Sequence, residues 1–146
     1  MHELCSMRPE DVPEVLELWR STPGVGLSRS DEPSELERFF ERNPGTSFVL
    51  RENGKVVGAV LGGWDGRRGY IHHLAVSPEC RGKGYGRLLV ERVLREFKKM
   101  GVLKVHIFVY RQNTDAIGFY RRLGWYWRDE LGMMSLDLDR EEGERE

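Results

Sequence analysis

Apolar residues recur at helical spacing in Val12, Val15, Leu16 and Trp19, and again in Leu36, Phe39 and Phe40, so two amphipathic helices are predicted early in the chain. Pro9, Glu10 and Asp11 supply the proline and acidic first turn that favour the start of the first; the second starts near Pro33-Ser34. Residues 2–8 ahead of them read as a short strand. Between the helices, Gly24 to Glu32 is small and polar, a segment that fits a plain connector and a substrate-contacting loop equally well.

From Thr46 the period shortens. Thr46–Arg51 and Lys55–Leu61 are β-rich runs joined by Asn53-Gly54, a strong hairpin signal. Gly62 to Gly69 reads as a turn and Tyr70–Ser77 as a third antiparallel strand, stopped by Pro78. Leu88, Leu89, Val93, Leu94 and Phe97 restore the helical period up to Met100, and Gly101 closes that helix. Leu103–Tyr110 is then a strand reached through a helix, which makes a βαβ unit and a parallel pair. Asn113–Leu123 reads as a fourth helix closed by Gly124. Trp125–Trp127 and Met133–Leu138 are expected to form a final hairpin, giving one domain over 1–138 and a frayed charged tail over 139–146.

Composition narrows the function. The 146 residues suit a single domain, and 23 basic against 24 acidic residues leave a net charge of −1, which gives no electrostatic reason for a nucleic-acid or membrane partner. No apolar run approaches the ~18–20 residues of a membrane-spanning helix, and the N-terminal residues lack the apolar stretch of a signal peptide, so a cytoplasmic location is expected. Cys5 and Cys80 have no metal-ligand spacing, so no metal is expected, and two cysteines fit a reducing compartment.

Nine of the 17 glycines fall between Gly54 and Gly86. The informative part is the run from Leu74 to Leu89, where a strand ends, a glycine-rich loop carries Arg81, Gly82, Lys83, Gly84 and Gly86, and a helix begins. Backbone N–H groups at such a helix start form an anion site, so a phosphate-bearing ligand is indicated; a plain turn is the alternative. Lys83 is followed by Gly84 and not by Ser or Thr, which argues against a Walker A loop, and Arg87 stands where a dinucleotide fingerprint needs its third glycine.

Val76-x-Pro78-x-x-Arg81-Gly82-x-Gly84-x-Gly86 resembles the acetyl-CoA signature of the GCN-five-related N-acetyltransferases (GNAT), and Asn113-x-x-Ala116-x-x-Phe119-Tyr120-x-x-x-Gly124-Trp125 resembles their second motif. The resemblance covers about residues 2–138. Gly62-Gly63-Trp64-Asp65-Gly66-x-Arg68-Gly69 further resembles small bacterial members of the YpeA type. The resemblance implies an α+β (α/β) GNAT fold with a mixed, mostly antiparallel central sheet of six or seven strands flanked by about four helices. It implies acetyl-CoA as donor, an amine of a small molecule, peptide or protein as acceptor, and direct attack in a ternary complex. A non-catalytic acyl-CoA sensor is the alternative. Oligomeric state stays open, a homodimer being common among members.

The same resemblance assigns positions. The coenzyme pyrophosphate would sit on the N–H groups of Arg81, Gly82, Lys83, Gly84, Tyr85 and Gly86, with Arg87 in reach of a phosphate. The pantetheine arm would pair along Leu74, Ala75 and Val76 where this strand splays from the next near Phe108. The Leu74 N–H would polarise the thioester carbonyl, Asn113 would bond the arm, and Phe119 and Tyr120 would stand near the sulfur. Relatives that acetylate a ribosomal-protein N-terminus carry Glu-Val-Arg where this chain has Phe108-Val109-Tyr110, a departure that removes the acidic base and points to a different acceptor.

Acetyl transfer needs a neutral amine, charge stabilisation at the carbonyl and a proton for the departing thiolate. Tyr120 is the candidate general acid; packing in the core is its other reading. An alkyl amine has a pKa near ~10.4, so a base or water chain must take its proton. Simple alternation puts Tyr70, His72 and Leu74 on one side and Ile71, His73 and Ala75 on the other. Arylalkylamine-type relatives carry site-facing histidines at the positions of Tyr70 and His72, which makes His72 the first candidate base, against a histidine merely bonded in the sheet. Glu79 and Asp65 are weaker candidates in turns. His106 is read as structural, the basic face from Arg87 to Lys99 as solvated, and Trp64, Trp125 and Trp127 as packing or pocket residues.

Overall fold

The computed structural model describes residues 2–139. Strand β1 (His2–Ser6) is followed by a 3-10 turn at Pro9–Asp11 and helix α1 (Val12–Arg20). Helix α2 (Pro33–Arg42), strands β2 (Phe48–Glu52), β3 (Lys55–Trp64) and β4 (Gly69–Val76), helix α3 (Tyr85–Lys99), strand β5 (Val105–Ile107) and helix α4 (Thr114–Arg122) complete it. The sheet order is β1-β2-β3-β4-β5, antiparallel until β5 joins β4 in parallel, as a crossover through α3 requires.

Helices α1 and α3 bury most of the face their periodicity marks, Leu88 being the marked position left exposed. Val12, Val15, Leu16, Trp19 and Leu36 pack with Val49, Ala59 and Ala75 on one side of the sheet. Leu89, Val90, Val93 and Phe97 of α3 pack with Phe48, Leu50, Val60 and Ile71 on the other. Burying a side chain of this size stabilises the fold by roughly 1.5–3 kcal/mol each. The β2–β3 hairpin turns on Asn53 and Gly54, at φ of 52° and 80°, the two left-handed residues a tight hairpin asks for.

The sheet among the described residues has five strands, not the expected six or seven. Leu103–Tyr110 yields a ladder only over Val105–Ile107, opposite Gly69–Ile71. Trp125–Trp127 and Met133–Leu138 form no hairpin, and 129–139 are exposed throughout. A three-residue edge is too short a template to hold two more strands in register. Of the expected tail only Asp139 is described, meeting Arg29 Nη1 at 3.2 Å; 140–146 lie outside the described residues.

The expected turn over Gly62–Gly69 shrinks to Asp65–Arg68, where Asp65 Oδ1 accepts from the Arg67 and Arg68 amides at 2.7 Å each. Gly62 and Gly63 belong to β3 and Gly69 to β4.

Candidate active site

Strand β4 is the spine of the site, and its regular pleat breaks once. Ala59 pairs with Ala75 and Leu61 with His72, so His73 and Leu74 together oppose the single Val60, and His73 sits at φ 55°. This bulge overturns the expected alternation. His73 turns to Trp19 of α1 and His72 to Phe39 of α2, so both face the α1/α2 side, while Leu74 and Val76 join Ile71 on the α3 side. Leu74 therefore shares the single Val60 with His73, and β5 has already parted from β4 below it.

Beyond Val76 the chain makes the 3-10 turn Pro78–Cys80 and reaches α3 through Arg81–Gly84. Gly84 is the N-cap at φ 82°, a conformation that costs most residues a steric clash and glycine nothing. It brings no capping side chain, so the first amides of α3, on Tyr85, Gly86 and Arg87, have no intrahelical acceptor. A β-carbon at Gly82 or Gly84 would meet nothing within 4 Å, which leaves the approach to these amides open. One at Gly86 would lie 3.3 Å from the Phe119 ring, so the third glycine serves the packing of α3 on α4.

The loop cations are already engaged. Glu52, at the end of β2, accepts from Tyr85 Oη at 2.5 Å and Lys83 Nζ at 3.1 Å, and receives Cys80 Sγ at 3.6 Å. The Tyr85 hydrogen bond and the Lys83 ammonium hold the Glu52 carboxyl down at about 2. Arg81 Nε lies 3.5 Å from the Val76 carbonyl, and Arg87 pairs with Glu91 at 2.8 Å along exposed helix surface. Sequence reading missed Glu52; only proximity across the sheet reveals it.

Asn113 caps α4, its Oδ1 accepting from the Ala116 amide at 3.2 Å. Its Nδ2 lies 2.7 Å from where a β-carbon on Gly24 would stand, and Tyr110 Oη 2.8 Å from one on Gly26. The α1–α2 connection thus leans on the segment after β5, and these glycines exist for that approach. Tyr120 is buried, edge-on to Phe119 and Trp125 at 5.0 and 5.2 Å. Burial pushes its hydroxyl well above the ordinary phenol range, so it stays protonated.

His72 lies in an aromatic stack, 6.2 Å from Tyr70 and 6.4 Å from Phe108 between ring centroids. Burial, aided by the neighbouring His73, pushes its imidazole below the usual range, and Asp31 offsets part of this. His73 Nε2 meets Asp31 Oδ1 at 3.0 Å. Burial works to raise the Asp31 carboxyl, but the His73 hydrogen bond and charge outweigh it and hold Asp31 below its ordinary value. Neither His73 nor Asp31 was among the sequence candidates, because the bulge that pairs them has no local signature. His72 lies on the α1/α2 side of the sheet and Tyr120 in the core on the α3 side; the Phe108 ring stacks 6.4 Å from that of His72 between centroids and lines the same groove as Tyr120. Asp65 is occupied by its turn, and exposed Glu79 lies 4.0 Å from Lys55, so neither joins this arrangement.

Among the described residues no group of three or more His, Cys, Asp or Glu could hold a metal ion, and no helix is long and apolar enough to cross a membrane. Three solved structures share the fold. PaiA N-acetyltransferase from Thermoplasma acidophilum, in complex with coenzyme A, is 18% identical with TM-score 0.79, covering 88% of this chain and 92% of that one. Ribosomal-protein-S18-alanine N-acetyltransferase from Escherichia coli is 24% identical with TM-score 0.68, covering 85% and 77%. Glucosamine-6-phosphate N-acetyltransferase from Arabidopsis thaliana is 25% identical with TM-score 0.67, covering 95% and 99%. The sequence profile of the acetyltransferase (GNAT) family matches residues 12–125, a span that holds the bulged strand, the open α3 terminus and α4. The chain belongs to the acetyltransferase (GNAT) family, and it is an acyltransferase.

Proposed function

We infer that the protein moves an acetyl group from acetyl-CoA to a primary amine of a small molecule, peptide or protein, by direct attack within a ternary complex. One observation carries this reading: Leu74 stands in a bulge where it shares Val60 with His73, beyond the last β4–β5 pair at Ile71, two residues before β4 ends toward the uncapped α3 terminus. That arrangement offers backbone donors to an acyl carbonyl and to phosphates from a single stretch of chain. The Arg81–Arg87 amides would hold the pyrophosphate, Leu74–Val76 the pantetheine arm, and the Leu74 N–H the thioester oxygen. Asn113 would bond the arm beside Phe119. Tyr120, held protonated, would supply the proton the leaving thiolate takes, and His72, held neutral, would receive the one the amine gives up.

Incubation with acetyl-CoA and a panel of amines and peptides should release free thiol with at least one acceptor. Acetyl-CoA should also raise the melting temperature, since a ligand that binds only the native state stabilises it. A melting shift without thiol release on any acceptor would favour the sensor; a larger shift with NAD or ATP would sink both.

The His72 assignment carries a pH signature. A base acts in its neutral form, and because its imidazole is pushed below 6.5, that form persists on acidification until pH falls past the lowered value. The acidic limb of kcat/KM should therefore lie below pH 6.5 in the native enzyme. In His72→Ala the limb should vanish and the plateau drop by about a hundredfold, the lower end of the usual contribution of a positioned base. An unaltered limb in the variant rejects His72.

A further inference from the structure

His73 holds its backbone at φ 55°, and apart from Asn53 in the β2–β3 turn no other described non-glycine residue has a positive φ. Where a bulge needs the left-handed region, glycine is its ordinary occupant, because a side chain there crowds its own backbone. A histidine keeps such a conformation only where its surroundings hold it. Two groups do so. The Trp19 indole lies edge-on to the imidazole at 5.0 Å between centroids, and Asp31 Oδ1 accepts from His73 Nε2 at 3.0 Å.

Asp31 is a fixed anchor. It is buried at the end of the 3-10 turn Arg29–Asp31, and its second oxygen, Oδ2, accepts from the Ser28 amide at 3.0 Å, so the carboxylate is held from two sides. The connection that carries it is braced farther back as well, where Gly24 and Gly26 lie against Asn113 and Tyr110. The peptide group between His73 and Leu74 is planar, so the direction of the Leu74 N–H follows from the dihedrals at its two ends, and one of these belongs to His73. A His73 that relaxed out of the left-handed region would swing that N–H away.

We propose that Asp31 is a positioning residue: through its hydrogen bond to His73 it keeps the bulge left-handed and so aims the Leu74 amide at the acyl oxygen. The target of that amide rests on the acetyl-transfer reading, whereas the hold on the backbone does not. Asp31 acts through His73 alone and touches no reacting atom.

Overhauser spectroscopy on the protein without ligand reads the hold, since a left-handed residue brings its amide proton close to its own Hα. The native protein should show a strong cross-peak between these two protons of His73, and Asp31→Ala should lose it. Thiol release from acetyl-CoA, with the fastest acceptor of the amine and peptide panel, reads the consequence. Asp31→Ala should lower kcat by about tenfold or more, short of the outright loss of an oxyanion donor, with the Kd for acetyl-CoA within about twofold. Asp31→Ala/His73→Gly should recover kcat to within about threefold of the native value, because glycine adopts the bulge unaided. A role confined to stability predicts no such recovery. If Asp31→Ala does not fold, His73→Ala takes its place with the same two losses, and His73→Gly should turn over faster than His73→Ala. A cross-peak retained in the alanine variant, or a glycine variant no faster than its alanine counterpart, overturns the proposal. A lost cross-peak with kcat unchanged overturns the part of Asp31 in the reaction, and the fault then lies with Leu74 as the oxyanion donor and not with the hold on the bulge.

Discussion

Tyr120→Phe is expected to lower kcat by about a hundredfold or more, in line with what a positioned general acid contributes, while the Kd for acetyl-CoA stays within about twofold. The substitution removes one oxygen from a ring whose packing against Phe119 and Trp125 is otherwise retained. Burial alone accounts for the shift of the hydroxyl, with no hydrogen-bond partner contributing, so its loss leaves no buried donor or acceptor orphaned. The melting temperature should accordingly stay put. A phenol held this far up gives its proton reluctantly to a solvated thiolate. In the proposed reading the departing sulfur would emerge beside Tyr120, where desolvation would raise its basicity too, so the transfer would run between groups shifted in the same sense. Equal turnover in the variant would remove Tyr120 from the chemistry and leave it a packing residue.

Gly62→Val should cost more stability than any exposed change. A β-carbon there would press on the Thr46 carbonyl oxygen and lie 2.8 Å from Val93 Cγ1 and 3.4 Å from the Phe97 ring. The oxygen belongs to backbone, and Val93 and Phe97 are fully buried, so nothing nearby can yield cheaply. Overpacking of this kind costs roughly 1–3 kcal/mol or more, and at about 2–4 °C per kcal/mol the transition should fall by roughly 2–12 °C. Gly66→Ala is the control. Gly66 also belongs to the glycine-rich run, at φ 97°, yet its added carbon would meet nothing, so only the backbone penalty of about 1 kcal/mol applies. Calorimetry that ranks the two substitutions the other way would show that the close approach of β2, β3 and α3 is not what holds this corner.

That contrast also marks what sequence can and cannot show. Gly62, Gly63 and Gly69 look like turn residues because glycine is read by its backbone freedom, whereas here they are strand residues kept small by Thr46, Val93, Phe39 and Phe97. Periodicity placed Val12–Trp19 and Leu89–Phe97 on their buried faces because that signal is local to each helix, with Leu88 the marked position that stays exposed. The glycine loop was legible for the same reason, a helix start being written in consecutive residues. Other features depend on partners far away in the chain. The His73 bulge is set by the register of β4 against β3, which reverses the side on which Leu74 falls and brings His73 to Asp31, 42 residues earlier. Glu52 reaches Lys83 and Tyr85 from the far end of a hairpin. The alternation in Met133–Leu138 is a strand pattern in the sequence, yet those residues form no strand here, since pairing needs a partner edge outside that segment.

The clasp of Glu52 on Lys83 sets how the proposed coenzyme site responds to ionic strength. With the loop ammonium neutralised from beneath and Arg87 drawn to Glu91, attraction for phosphate rests on amide dipoles fixed at the start of α3 and on Arg81, which meets a carbonyl and not a carboxylate. Mobile ions screen separated charges over about 8–10 Å and barely reach a dipole in contact with its ligand. Coenzyme capture at this terminus should therefore weaken less in concentrated salt than capture by a cluster of free cations.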